Sequence, residues 1–215
     1  MTVIVQWATP DIDKQIMFCA RVSNPANQAS ENAKLLTYCA NEGHVSPFEM
    51  ANVCLEITTT RDIARQILRH RSFSFQEFSQ RYADVNQLPP LAPREARMQD
   101  KKNRQNSLET DDEYVSAAWD KMQRQIYTAA AEKYDLALAM GVAKEQARAL
   151  LPEGLTTSRM YMNGTLRSWI FYLKQRLHES TQKEHRQIAQ KVLKELRSVA
   201  PITMEAFFGE ENGNK

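Results

Sequence analysis

The spacing of apolar and polar residues changes several times along this chain, and each change marks an element. Met1-Thr2-Val3-Ile4-Val5 lacks the basic start and long apolar run expected of a signal peptide and is read instead as a first strand. From Asp11 to Ser23, Ile12, Ile16, Met17 and Ala20 fall on one side of a short helix. A second helix is expected from Ser30 to Ala40, capped by Ser30 and closed before Gly43. Pro47 breaks the chain. Between Ala51 and Thr60, Val53, Leu55 and Ile57 alternate with Cys54, Glu56 and Thr58, the pattern of a half-buried strand. Thr60 or Asp62 is placed to cap the next helix, which buries Ile63, Ile67 and Leu68 and ends near Arg71.

Residues 83–110 are rich in Pro, Gln, Asn, Lys and Arg, show little periodicity, and are read as a surface excursion and candidate lid. Asp111 to Met140 predicts one long helix with an apolar stripe of Val115, Trp119, Met122, Ile126, Ala129 and Leu136, ended by Gly141. Lys144 to Leu151 predicts a short helix stopped by Pro152. Two more helices follow, at about 165–177 and 181–199, and then a short tail.

Strands and helices without βαβ alternation predict an α+β fold, a mainly antiparallel sheet packed with several helices. A Rossmann unit is excluded, since GxGxxG is absent from a chain with six glycines. At 215 residues, the span 1–215 is expected to form a single domain. Hydrophobic content of 42% with 25% charged residues is ordinary for a globular protein. No apolar run approaches the roughly 20 residues that cross a bilayer. Three widely spaced cysteines, Cys19, Cys39 and Cys54, point to reduced thiols in a cytoplasm. No CxxC or HExxH spacing occurs, so no metal is expected.

Charge changes the picture locally. The net charge is only +2, yet Arg61, Arg65, Arg69, Arg71 and Arg81 lie within one stretch that holds only two acids, Asp62 and Glu77. Arginine forks bind phosphates and planar imide edges bidentately, which points to a phosphorylated, planar ligand. Arg61, Arg65 and Arg69 at four-residue spacing fit a solvated helix face equally well. The sequel favours a site, because Phe73, Phe75 and Phe78 alternate with Ser74, Gln76, Glu77 and Ser79. A nucleic-acid module would use the same residues, but a pocket-sized cluster on a nearly neutral chain disfavours it.

Arg69-His70-Arg71 followed, after seven intervening residues, by Ser79 resembles the signature of the flavin-dependent thymidylate synthase (ThyX) family. Ala20-Arg21-Val22-Ser23, Gly43-His44-Val45-Ser46-Pro47-Phe48-Glu49, Glu145-Gln146-Ala147-Arg148 with Leu151-Pro152, and Arg167-Ser168-Trp169 with Arg176 and Gln182 resemble further landmarks of that family, in its order. The resemblance implies reductive methylation of dUMP to dTMP, with 5,10-methylenetetrahydrofolate as carbon donor and FAD reduced by NADPH as hydride source. It implies Arg176 as the catalytic arginine at the uracil imide edge. It assigns dUMP binding to Gln66, Arg69, Glu77, Phe78, Ser79, Gln80, Arg81, Arg148 and Arg176. Gln66 and Arg69, three apart on one expected helix, would address a single base. FAD would lie against Ser23, His44, Ser46, Glu49, Arg69, His70, Arg71, Ser72, Glu77, Thr165, Arg167, Phe171 and Gln182.

The resemblance also implies a homotetramer with shared active sites. The chain departs from the common family pattern at Ser72, Gln76, Thr165, Phe171 and Ser180, mainly on the flavin side. A catalytically impaired flavin- and nucleotide-binding homologue is the alternative those departures keep open. The thiolate mechanism of the other thymidylate synthases is not expected, because all three cysteines sit in apolar patterns.

Overall fold

The computed structural model describes residues 1–90 and 92–209. In chain order the elements are β1 (Thr2–Ala8), α1 (Ile12–Ala20), α2 (Lys34–Asn41), β2 (Asn52–Thr60), α3 (Arg61–Ile67), β3 (Ser74–Glu77), β4 (Arg97–Gln99) and β5 (Ser107–Glu109). They continue with α4 (Glu113–Ala139), α5 (Lys144–Ala147), β6 (Thr157–Thr165), α6 (Leu166–Arg176), α7 (Lys183–Val199) and α8 (Pro201–Phe208). One sheet has the order β1-β2-β6-β3, and β4 pairs with β5 as a separate antiparallel hairpin. Bonds from Thr9 N to Asn52 O, Leu166 N to Ala51 O and Phe78 N to Arg159 O join strand ends to strand beginnings, so the larger sheet is antiparallel. The fold is α+β.

The described chain packs as two compact units. One comprises Met1, Thr58–Leu68 and Glu77–Met160. In it α4, α5 and the 3₁₀ turn Arg148–Leu150 pack together, and Ile63, Ala64 and Ile67 of α3 are fully buried. The other comprises Thr2–Ile57, Arg69–Gln76 and the described residues from Tyr161 onward. There α7 lies against β1, α6 and α8. Its Ile188, Val192 and Leu196 recur every four residues and are fully buried, the stripe that makes this segment a helix.

Several elements differ from the sequence expectation. Ser30 does not cap α2, which begins at Lys34; Asn32 Oδ1 accepts from Lys34 N instead. β2 is buried on both faces, including Cys54, Thr58 and Thr60, and its edges are paired with β1 and β6. Thr60 occupies the N-cap position of α3, but its hydroxyl donates to Asp62 at 2.6 Å and caps no helix N–H. That helix stops at Ile67, so Arg69 lies beyond it and is not on one helical face with Gln66. β6 went unread because Met160, Met162 and Gly164 form its buried face, and neither residue type favours strands. Gly164 is required there, since a Cβ would fall 2.4 Å from Phe73 Cδ1.

The apolar stripe of α4 is largely exposed: Met122, Ile126 and Leu136 are 51%, 56% and 52% accessible. Within residues 83–110, the β4–β5 hairpin and a 3₁₀ turn at Val85–Gln87 supply regular structure. Arg94, from the same stretch, donates to both Asp62 oxygens and to Thr60, while its backbone N–H and carbonyl bond the Gln123 amide. Among the described residues no helix is long and apolar enough to cross a membrane.

The expected tail is α8, with Thr203, Met204 and Phe207 buried. Pro201 suits the first turn, and the cap is supplied from far away in sequence. Buried Asp13 of α1 accepts from Ile202 N at 2.8 Å, Thr203 N at 3.1 Å and Thr203 Oγ1 at 2.6 Å. Asp13→Ala is therefore expected to lower unfolding stability by about 1–3 kcal/mol, the loss typical of a buried charged cap, as read by urea denaturation.

Candidate active site

The first unit gathers the phosphate-directed residues. After β3, Ser79 turns the chain: its carbonyl accepts from Tyr82 N and Ala83 N, and its hydroxyl from Arg81 N. Arg81 Nε lies 3.4 Å from Glu145 Oε2, and Arg148 Nε donates to the Glu145 carbonyl at 3.2 Å. Two arginines from distant segments thus converge on one residue. Gln80 is buried, and its Nε2 has no hydrogen-bond partner among the described residues. Glu77 accepts from Ser158 Oγ at 2.7 Å and lies 3.8 Å from Arg61. Phe78 joins β6 through its backbone N–H, and Gln66 is half-buried on α3.

The second unit holds a polar strip built from α6 and the segments it packs on. Thr165 caps α6, its hydroxyl accepting from Ser168 N at 3.3 Å. Ser168 Oγ donates to the Ser72 carbonyl at 3.2 Å. Arg167 donates to Glu49 at 2.7 Å, and its guanidinium carbon sits 5.2 Å over the centre of the Phe171 ring. The Thr165 hydroxyl, then Arg167, holds the Glu49 carboxyl below the usual carboxylate range. Ser72, Thr165, Glu49, Arg167 and Phe171 are therefore brought together.

Arg176, in the last turn of α6, is half-buried and donates from Nε to His70 Nε2 at 2.9 Å. Burial, and then the Arg176 charge, lowers the His70 imidazole to about 4. His70 is thus neutral at pH 7. Ser23, His44, Ser46, Arg69 and Arg71 lie on exposed turns outside the strip, and His44 packs edge-on to Tyr38. Gln182 bonds Glu184 at 2.9 Å just before α7. Reasoning from sequence quoted Glu145 in the landmark with Arg148 but gave it no role, and did not single out Ser158, Tyr172 or His185.

Cys39 and Cys54 are buried free thiols, pushed up by that burial, and Cys19 is a half-buried free thiol. Among the described residues no group of three or more His, Cys, Asp or Glu side chains is placed to hold a metal.

Comparison with known proteins gives a consistent result. The family model described as thymidylate synthase complementing protein matches residues 3–202. The chain is 51% identical to a flavin-dependent thymidylate synthase of Synechocystis sp. over 174 residues, covering 81% of this chain and 79% of the relative. It is 49% identical to a probable flavin-dependent thymidylate synthase of Paramecium bursaria Chlorella virus 1, covering 82% of each. Among solved structures it resembles the UMP/dUMP methylase PolB from Streptomyces cacaoi bound with 5-Br dUMP. That likeness has a TM-score of 0.80 and 27% identity, over 96% of this chain and 93% of the other.

The depressed histidines carry a stability signature. His70 and His185 take up protons in the unfolded chain near 6.5 but in the folded one only near 4 and 3. Between those limits the unfolded state binds more protons. Their contribution is therefore complete above about 6.5 and falls as pH drops toward 4. Urea unfolding at pH 7 and pH 5 is expected to show lower stability at pH 5, and His70→Gln is expected to shrink that difference.

Proposed function

The chain belongs to the thymidylate synthase complementing protein family, and from that premise we propose that it carries out the reductive methylation of dUMP to dTMP. The carbon comes from 5,10-methylenetetrahydrofolate and the reducing equivalents from NADPH by way of FAD. The observation that carries this reading is Arg176. It is a half-buried cation whose single protein partner among the described residues is the neutral His70.

Methylation at C5 of uracil needs electron density pushed into the ring, which places negative charge on the imide edge. A fixed guanidinium stabilises that charge as it develops, and does so best where no carboxylate already consumes its field. His70 occupies only the Nε–H of Arg176, which leaves both Nη groups for the base. Arg81 and Arg148 would take the phosphate. The Glu145 carboxylate holds Arg81 and its carbonyl holds Arg148, and a dianionic phosphate is a stronger acceptor for two forks than that pair. Ser79 supplies the turn and a hydroxyl beside them. Gln80, with its buried unpaired amide, has a donor that a nucleotide acceptor would satisfy.

The residues of the polar strip fit a flavin. Arg167 Nε is buried with no hydrogen-bond partner among the described residues, and the exposed Phe171 ring lies under the same guanidinium. Ser72, Thr165, Glu49, Arg167 and Phe171 would hold it, with His44, Ser46 and Ser23 supplying exposed polar groups. When bound, the flavin supplies the hydride that completes the methyl group. Arg176 contributes positive potential, and His70, neutral at pH 7, adds no exchangeable acid beside it.

Assembly follows the same reading. On α4, Tyr114, Met122 and Ile126 fall at multiples of four and are exposed, a face suited to further copies of the chain in a homotetramer. The free thiols of Cys19, Cys39 and Cys54 support a reducing, cytoplasmic setting.

An anaerobic assay with FAD, NADPH, dUMP and methylenetetrahydrofolate, each omitted in turn, is expected to give dTMP only when all are present. No dTMP from protein that binds FAD and dUMP would leave an impaired homologue; failure to bind either would overturn the site. Arg176→Ala is expected to abolish dTMP formation while flavin absorbance remains with the protein. The doubly substituted Met122→Asp, Ile126→Asp chain is expected to elute as a smaller species than the unsubstituted protein by light scattering.

A further inference from the structure

An arginine whose Nε–H goes to an imidazole is held only while that imidazole is neutral, because a protonated ring has no lone pair to accept with. The Arg176–His70 bond therefore depends on what surrounds His70. Tyr172 of α6 meets the His70 ring edge-on, with centroids 4.9 Å apart. His185 of α7 lies perpendicular to it at 6.3 Å. Tyr172 and His185 also face each other at 5.8 Å. Both are essentially inaccessible, at 1% and 0% exposure, whereas His70 and Arg176 are half-buried.

We propose that Tyr172 and His185 are positioning residues for Arg176: their rings wall the His70 imidazole off from water, so that it stays an acceptor and fixes the guanidinium. This rests on the reading of Arg176 as the residue that meets uracil. Neither ring is called on to touch the substrate; each acts through His70.

The electrostatics agree with the geometry. Burial first, and then Arg176, depresses His70; burial, Arg176 and His70 depress His185. The titratable and charged groups that face His70 from the packed helices are Arg176 and Tyr172 of α6 and His185 of α7, and the exposed Arg69 and Arg71 flank it in its own segment. Glu184, next to His185 in α7, is engaged by Gln182. Water admitted by a smaller side chain would let His70 protonate closer to its ordinary 6.5, breaking the bond and setting two cations side by side. Tyr172 works by its ring and not its hydroxyl, which is buried with no hydrogen-bond partner among the described residues. Phe would fill the same space.

The test compares wild type, Tyr172→Leu, His185→Leu and Tyr172→Phe by NMR titration of labelled histidines and by the pH profile of dTMP formation. Wild-type and Tyr172→Phe proteins are expected to keep His70 near 4 and to share one profile. In the two leucine variants His70 should move up toward 6.5, and kcat should gain an acid limb. At pH 6 the loss in kcat is expected to be about fourfold, set by the neutral fraction left to a histidine near 6.5, with KM for dUMP less affected.

A His70 titration that stays near 4 in both leucine variants overturns the proposal, as does a kcat loss equal at every pH. If those variants do not fold, His70→Gln, which keeps an acceptor, should retain more kcat than His70→Leu; equal losses overturn it. Wild-type protein that forms no dTMP refutes the reading of Arg176 instead, and the histidine titrations still judge the arrangement around His70.

Discussion

The fixed rotation of one helix governs the second unit, and Trp169 fixes it. The indole Nε1 donates to the Val53 carbonyl at 3.1 Å in β2, while the ring packs edge-on to Phe73 at 4.6 Å and to Tyr172 at 5.8 Å. A fully buried indole that satisfies its N–H on a strand backbone leaves α6 little freedom to turn or slide. Arg167 and Arg176 project from opposite ends of that helix, so both directions are set together. Phe73 in turn needs the bare Cα of Gly164, and its position carries the backbone of Ser72 and His70 with it.

Five arginines show two kinds of partner, with different consequences. Arg94 meets Asp62, Arg65 meets Glu153, Arg81 meets Glu145 and Arg167 meets Glu49. A carboxylate neutralises each of these and holds the fork in a shape that a phosphate or other acceptor can take over. Arg176 meets a neutral ring instead and keeps its charge. A charge retained in a half-buried setting is costly unless a ligand uses it. The first arrangement suits recognition of an anion, and the second suits charge that develops during a reaction.

Much of this was legible before any coordinates. The long helix α4, the amphipathic α7 and the strand β2 announced themselves by period, since a spacing of 3.6 or 2 reflects which side of a single element faces the core. The cluster from Arg61 to Arg81 and the landmarks around it gave the family and the reaction class. The errors fell where local pattern and tertiary context diverge. Ser30 looked like a cap because nothing in the sequence says that the chain first makes a 3₁₀ turn at Pro25–Asn27. α8 looked like a tail because its cap, Asp13, comes from almost the other end of the chain. The stripe of α4 was real, yet period cannot say whether an apolar face meets its own chain or is left open.

By itself the sequence determined the elements with strong periodicity and the α+β class, because these depend on neighbours within a few residues, and it named the candidate site residues by resemblance. Tertiary structure alone decided that Arg81 and Arg148 meet at Glu145, that Ser72 reaches α6 through Ser168, and that Arg176 rests on His70 beneath Tyr172 and His185. These contacts join segments up to about a hundred residues apart, and hydrogen bonds and burial act over a few ångströms of space rather than along the chain. A neutral histidine, and an arginine with no carboxylate partner among the described residues, are properties of that enclosure, and no spacing of letters contains them.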